Sequence, residues 1–126
     1  MTILDFLEIG TADFDTEIEK ADNNTRGISI EPLKIYLDNL PEKSLCKKFN
    51  CAISNEDGDA TVYYISPENI KKYNFPHYTH GCNSIDNIHP VAHWLAHENN
   101  LDVNKVVVKK YTLMNFYTHK RLLFLK

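Results

Sequence analysis

The sequence is poor in glycine, with four glycines among 126 residues. A dinucleotide-binding turn of the G-x-G-x-x-G type needs several, because they let the backbone approach a pyrophosphate. Gly10 is the only glycine between the first apolar run and the segment that follows it. A pyrophosphate therefore has little room at this turn, which argues against a nicotinamide-dinucleotide-binding oxidoreductase.

The number and spacing of the three cysteines do not fit a disulfide framework. Cys46, Cys51 and Cys82 are odd in number and share no C-x-x-C spacing, so we expect free thiols in a reducing compartment. The first residues, 1–5, do not form a basic region leading into an apolar run, so we expect no signal peptide. These features together predict a cytoplasmic protein.

No long apolar run and no basic patch is present. No apolar stretch approaches the ~20 residues that a membrane-spanning helix requires, so we expect no membrane partner. The formal net charge is −3, and the basic residues occur only singly or in pairs. We therefore expect no nucleic-acid partner.

An H-E-x-x-H zinc motif is absent, although several histidines lie close together in the sequence. His89, His93 and His97 are spaced i, i+4, i+8, which on a helix would place them on one face. Pro90 directly follows His89 and disfavours a helical conformation there. We therefore expect surface and loop histidines and no metal site.

Short apolar runs alternate with helical segments along the chain. Residues 3–9 predict a strand buried on both faces, and residues 27–30 predict a second strand. A helix is expected from Thr16 to Ala21 with Asp15 as its N-cap, and another from Pro32 to about Leu40. Further strands are predicted at 49–53, 60–65, 105–113 and 121–126, with a hairpin signal at Asp57-Gly58 and a loop-rich segment 66–104 that contains a helix at 91–98.

This alternation is typical of α/β proteins with a mostly parallel, doubly wound sheet. We predict a single domain over residues 1–126 with a Rossmann-like fold and a loop-rich insertion. The final predicted strand, 121–126, has no helix after it to cover the sheet. The expectation is therefore an incomplete fold whose last strand is an exposed edge suited to self-association.

The residues most suggestive of chemistry follow the first two predicted strands. Glu8 ends the first, and Gly10 then begins a turn into a helix whose first N–H groups are expected to be unpaired. Glu31 ends the second strand and follows Gly10 by 21 residues, close to the ~20-residue spacing of nucleotide-binding folds. A carboxylate there can accept two hydrogen bonds from a ribose diol, so the sequence predicts an adenosine site without phosphates.

Six short motifs follow one another along the chain. They are 8–16, with Glu8-Ile9-Gly10-Thr11-Ala12-Asp13; Ile30-Glu31-Pro32; Asn50-Cys51-Ala52-Ile53-Ser54; His80-Gly81-Cys82-Asn83-Ser84-Ile85; Thr112-Leu113; and the apolar end 121–126. In this order and spacing they resemble the FkbM-type methyltransferases. Phe14 stands where many members of that family have a second glycine. The resemblance extends over nearly the whole chain but over only about half of the family's domain.

The resemblance implies a Rossmann-like methyltransferase fold with S-adenosyl-L-methionine as cofactor. It also implies methyl transfer to an oxygen of a small molecule or glycan. The implied cofactor-binding residues are Glu8, Gly10, Thr11, Ala12, Asp13, Glu31, Pro32, Ala52 and Ile53. The implied substrate-binding residues are Asn83 and Ser84, and no catalytic base is assigned.

Two other interpretations stay open. The first is a catalytically inactive, truncated Rossmann-like module, because residues 121–126 resemble the lead-in to an I-D-x-E-G motif that the chain does not reach. The second is the nicotinamide-dinucleotide-binding oxidoreductase, which the missing glycines disfavour.

Overall fold

A computed structural model describes residues 3–120 of the chain. The chain divides into two compact units, one built from the residues up to Asp59 and from Lys109 onward, the other from Ala60–Val108. The described residues form strands β1 (Phe6–Ile9), β2 (Gly27–Ile30), β3 (Cys46–Phe49), β4 (Ala52–Ile53), β5 (Gly58–Tyr64), β6 (Ser84–Ile85) and β7 (Asn104–Tyr111), and helices α1 (Glu17–Lys20), α2 (Lys34–Leu37), α3 (Pro67–Lys72), α4 (Pro90–Glu98) and α5 (Leu113–Lys120).

The first unit contains a parallel three-stranded sheet in the order β1-β2-β3. Gly27 pairs with Phe6 on one side and with Cys46 on the other, and the register continues to the ends of the strands. All four residues of β2 are buried, as expected for a central parallel strand. The predicted α/β class and the predicted strand at 27–30 are therefore confirmed, and the arrangement is compatible with a Rossmann-like fold.

Both faces of this sheet carry a hydrophobic cluster. One consists of Ile18, Ala21, Leu37, Leu40 and Cys46, with Phe6 packed against it. The other consists of Ile28, Ile30, Cys51 and Phe116, with Leu4, Phe49, Ile53 and Tyr111 packed against it. Because successive side chains of a strand point to opposite faces, the residues of β2 and its neighbours supply both clusters.

Strand β1 differs from its prediction. Leu7 and Ile9 are 37% and 48% exposed, whereas Phe6 and Glu8 are half-buried. Within residues 3–120, β1 pairs with β2 alone, so one side of the strand lacks the neighbour that would bury it. The expectation of a strand buried on both faces was wrong because sequence patterning does not reveal a strand's position in the sheet.

Helix α2 is shorter than predicted. It begins after Leu33 and ends at Leu37, and Ile35 is exposed while Tyr36 is buried. The Lys48 side chain from β3 donates hydrogen bonds to the carbonyls of Leu37 and Leu40, at 3.5 and 3.0 Å. The shorter bond satisfies the Leu40 carbonyl after the helix end, whereas the Leu37 carbonyl also accepts the backbone N–H of Leu40 at 3.1 Å.

The strand predicted at 49–53 is two strands. β3 ends at Phe49 in the first sheet, and β4 pairs in parallel with β7 in a second sheet of order β4-β7-β5-β6. Between them, the Asn50 side chain donates hydrogen bonds to the carbonyls of Glu31 and Pro32, at 3.0 and 2.8 Å. Asn50 is thus held in place at the point where the chain leaves the first sheet and enters the second.

The hairpin predicted at Asp57-Gly58 is also absent, because β7 lies between β4 and β5. The Asp57 carboxylate instead accepts hydrogen bonds from the backbone N–H of Thr112 and the side-chain amide of Asn115, at 2.9 and 2.7 Å. Asp57 thus stabilises the start of α5, a helix that the sequence analysis did not predict. The predicted strand at 105–113 corresponds to β7, and the segment 121–126 lies outside the described residues.

The second unit is the predicted loop-rich segment. It contains α3, a single 3-10 turn (His77–Gly81), the short strand β6 and α4, so the helix predicted at 91–98 is confirmed. Its core consists of Ile65, Ile70, Cys82, Ala92 and Leu95. None of the helices described within residues 3–120 has the length and apolarity to cross a bilayer.

Gly27 offers a test of the packing in the first sheet. A methyl group at this position would overlap the Phe6 ring, which packs against the cluster below α1 and α2. We expect Gly27→Ala to lower the free energy of unfolding by about 1–3 kcal/mol, as overpacking typically does. Urea denaturation should show that Phe6→Leu relieves much of this loss in the double variant. Additive losses would contradict the proposed overlap.

Candidate functional site

Glu31, at the end of β2, is the centre of the candidate site. It is 3% exposed. Its Oε1 accepts a hydrogen bond from the backbone N–H of Ala12 at 2.6 Å, and its Oε2 accepts one from the backbone N–H of Leu33 at 2.8 Å. The carboxylate thus connects the loop after β1 with the start of α2.

The structure brings the Gly10 turn and Glu31 together, as the adenosine-site hypothesis requires. The backbone N–H of Gly10 donates to the carbonyl of Ile30 at 2.8 Å, so the β1–β2 ladder extends to the residue before Glu31. The bond between Glu31 and Ala12 closes the loop that follows. The two predicted residues therefore lie at one edge of the sheet, where neighbouring parallel strands end.

Burial alters the ionisation of Glu31. Loss of hydration raises the pKa of this carboxyl above its ordinary value, and the negative charge of Asp13 raises it further. The N–H groups of Leu33 and Ala12 act in the opposite direction because they stabilise the ionised form. The net pKa shift is upward, so desolvation outweighs the two hydrogen bonds.

Glu8 caps the start of α1, and its contact with a cofactor stays a prediction. Its carboxylate accepts hydrogen bonds from the backbone N–H groups of Glu17 and Ile18, at 2.8 and 3.1 Å, and from the Ser29 hydroxyl at 2.6 Å. The Thr16 hydroxyl accepts from the N–H of Glu19 at 3.4 Å. The expectation of unpaired N–H groups at the start of α1 was therefore wrong, and Thr16 rather than Asp15 is the N-cap.

The loop from Gly10 to Asp13 has an unusual backbone. Gly10 and Ala12 have φ angles of +71° and +47°. Apart from Gly10 and its two chain neighbours, none of the described residues has an atom within 4 Å of the place where a Cβ of Gly10 would stand. The Thr11 hydroxyl donates to the carbonyl of Ala12 at 2.8 Å, and the Asp13 carboxylate accepts from the Asn39 amide at 3.0 Å. The space beside Gly10 leaves its backbone accessible to a ligand.

The remaining residues predicted to bind the cofactor follow Glu31 or belong to β4. Pro32 follows Glu31, and its carbonyl accepts from the Asn50 amide at 2.8 Å. Ala52 is 1% exposed, and Ile53 packs against the cluster that contains Phe116. Ala52 and Ile53 thus pack inside the first unit. Their direct contact with a cofactor is a prediction that the structure does not test.

Sequence reasoning missed Ser29 and Asn50. Ser29 is fully buried between Ile28 and Ile30 on β2, and its hydroxyl binds Glu8. A polar residue within a short apolar strand is the signal that could have identified it, since buried polar groups need partners. Asn50 lies within one of the quoted motifs, but nothing in the sequence reveals that its amide holds the backbone on both sides of the bond between Glu31 and Pro32.

Asn83 and Ser84, the predicted substrate-binding residues, belong to the unit formed by Ala60–Val108. The Asn83 amide donates to the carbonyl of His80 at 2.8 Å, and its Oδ1 is buried without a hydrogen-bond partner among the described residues. Ser84 pairs with Tyr63 in the antiparallel contact of β6 with β5. Substrate binding by either residue remains a prediction.

The cysteines are buried, and His89 caps a helix. All three cysteines are free and buried, and burial raises the pKa of each thiol, that of Cys51 to about 11. His89 is not helical, and its Nδ1 accepts from the N–H of Val91 at 3.1 Å at the start of α4. Within residues 3–120, no three His, Cys, Asp or Glu side chains cluster in a way that could hold a metal ion.

The candidate site is therefore an acidic loop region at the ends of β1 and β2, with Glu31 at its centre. Comparison of the chain with protein-family models, curated proteins and solved structures finds no significant match. The geometry and charge of these residues are the basis on which a function is proposed below.

The raised pKa of Glu31 predicts how stability depends on pH. Above pH 4.5, the ordinary pKa of this carboxyl, the unfolded chain releases a proton that the folded state retains. The contribution of Glu31 to the free energy of unfolding is therefore full below pH 4.5 and decreases as the pH rises through the folded-state pKa. We expect the free energy of unfolding of the wild type, relative to Glu31→Gln, to fall across this range in denaturation experiments. A difference that rises with pH would contradict the assignment.

The capping role of Glu8 makes a second prediction. Glu8→Gln leaves one acceptor oxygen for three donors, so the free energy of unfolding should fall by about 1–3 kcal/mol. Glu17→Gln is the matched control, because the Glu17 side chain is 54% exposed and, among residues 3–120, pairs with Lys20 across the surface. This variant should change stability by less than about 0.5 kcal/mol. Equal effects in urea denaturation would show that Glu8 is not a cap.

Proposed function

We propose that the chain is the cofactor-binding part of an S-adenosyl-L-methionine-dependent methyltransferase. The observation that carries the proposal is the position of Glu31 beside the Gly10–Asp13 loop, held by the 2.6 Å hydrogen bond from the Ala12 N–H. A nucleoside bound at the ends of β1 and β2 would have a carboxylate for its ribose hydroxyls and an open backbone at Gly10. The acceptor proposed from the motif resemblance is an oxygen of a small molecule or glycan.

The hydrogen bonds of Glu31 leave capacity for a ribose diol. Each carboxylate oxygen accepts one backbone N–H, and an ionised carboxylate offers about four acceptor positions in total. The ribose hydroxyls would donate to the remaining positions. The two backbone bonds hold the carboxylate in place before the ligand arrives, which reduces the entropy lost on binding.

The charge of the site favours a cationic ligand over a phosphate. Glu8 precedes the loop after β1, Asp13 lies within it, and Glu31 accepts the N–H of Ala12 from it. The first N–H groups of α1 already have partners. A pyrophosphate would meet negative charge and find none of the helix N–H groups that usually bind it. S-adenosyl-L-methionine carries a sulfonium, an ammonium and a carboxylate group, so its net charge is positive. Negatively charged side chains therefore favour it over a pyrophosphate.

The cofactor supplies a methyl group activated by the sulfonium. The protein's own task in such a reaction is mainly to align donor and acceptor and to exclude water. Glu31 would fix the ribose, and the Gly10–Asp13 loop would fix the methionine part. No residue is assigned to remove the proton from the acceptor oxygen.

Binding of S-adenosylhomocysteine tests the proposal directly. In calorimetry at neutral pH, Glu31→Gln should weaken binding by about 1–3 kcal/mol, because one acceptor oxygen becomes an amide donor. Asp57→Asn is the matched control, since Asp57 also accepts a backbone N–H in a turn of the same unit but follows neither β1 nor β2. Thermal unfolding of each free variant separates loss of fold from loss of affinity.

Proton linkage adds a second signature. Ribose hydroxyls that donate to the ionised carboxylate of Glu31 lower its pKa, so binding should release a proton. The affinity for S-adenosylhomocysteine should therefore rise with pH above 4.5. Calorimetry in buffers of different ionisation enthalpy measures this release. Binding of a nicotinamide dinucleotide in place of S-adenosylhomocysteine would support the oxidoreductase alternative. Absence of binding by both ligands would support an inactive module.

A further inference from the structure

A groove in the unit Ala60–Val108 has no role in the proposed methyl-donor site. Its volume is about 550 Å³, and its walls include Tyr63 of β5, Ile88, and Leu101 in the segment after α4. Small-molecule sites typically have volumes of about 300–1,000 Å³ with mainly apolar walls and a few polar groups. The volume of this open groove falls within that range, and both apolar and polar side chains form its walls.

One side of the groove is formed by the exposed face of α4. His93 and His97 both line it, with ring centroids 6.4 Å apart and ring planes inclined by 16°. The opposite face of α4, with Ala92 and Leu95, is buried in the core of the unit. The packing of α4 therefore fixes the side of the helix from which the two imidazoles project.

Two charged side chains complete the polar part of the groove. Asp102 and Lys105 both line it, and neither has an ion pair or side-chain hydrogen bond among the interactions of residues 3–120. Lys105 donates hydrogen bonds, and each imidazole donates through at least one nitrogen. Asp102 accepts. Donors thus predominate among the polar side chains that line the groove, and Asp102 is the single carboxylate among them.

We propose that this groove binds a ring-shaped organic acid that carries at least one hydroxyl group. The acidic group would accept hydrogen bonds from Lys105 and the two imidazoles, and a hydroxyl would donate to Asp102. The ring would pack against Tyr63, Ile88 and Leu101. Both an aromatic hydroxy acid and a sugar acid have this chemistry.

The proposal is independent of the methyl-donor site. All the lining residues belong to Ala60–Val108, whereas Glu8, Gly10 and Glu31 belong to the other unit. A variant in the groove therefore tests ligand binding without altering the residues proposed to hold S-adenosyl-L-methionine. Failure of either proposal leaves the other to be judged by its own experiment.

The test is an NMR titration of the full chain with 4-hydroxybenzoate and, separately, with glucuronate. At least one should bind with a dissociation constant of about 1 mM or below, the range expected for a ligand of this size. The shift changes should concentrate at His93, His97 and Lys105. 4-Hydroxybenzamide, which lacks the negative charge, should bind at least about fivefold more weakly than 4-hydroxybenzoate if the aromatic acid is the better ligand.

Lys105→Gln should weaken binding of the preferred acid at least about fivefold, because it removes the permanent positive charge of the rim. Lys71→Gln is the matched control, since Lys71 is an exposed lysine of α3 in the same unit but does not line the groove. The spectrum of each free variant establishes that it is folded. No binding by either acid, equal effects of the two lysine variants, or shift changes centred elsewhere would overturn the proposal.

Discussion

The buried carboxylate of Glu31 is the constraint on which the first unit depends. It accepts the N–H of Ala12 after β1 and the N–H of Leu33 before α2, and it does so while almost fully withdrawn from water. Burying an ionisable group is costly unless hydrogen bonds compensate, and here two backbone donors do so in part. The same bonds define the loop conformations on both sides of the sheet edge.

Glu8 complements Glu31 on the neighbouring strand. Its carboxylate satisfies the beginning of α1 and the buried hydroxyl of Ser29, so the first strand, the second strand and the helix between them are held by one side chain. Because the Glu8 carboxylate occupies the first N–H groups of α1, the region is negatively charged and offers few free N–H groups to a ligand. A cationic nucleoside suits that charge better than a phosphate does.

The sequence predicted secondary structure correctly where the residues of a segment by themselves decide its conformation. The four-residue strand β2 and helix α4 after His89-Pro90 agree with their predictions. Prediction failed where partners distant in sequence decided the outcome. The apolar run at 49–53 divides between two sheets, and Asp57 stabilises α5 rather than a hairpin because Thr112 and Asn115 supply its donors.

The sequence by itself determined the α/β class, the central apolar strand and the presence of carboxylates after the first two strands, since these follow from composition and spacing. Tertiary structure alone decided that Glu31 bonds to Ala12, that Glu8 caps α1 and that the His93–His97 face borders a groove with Lys105. Hydrogen bonds between residues far apart in the chain depend on backbone positions fixed by packing. A pattern of residue types does not contain those positions.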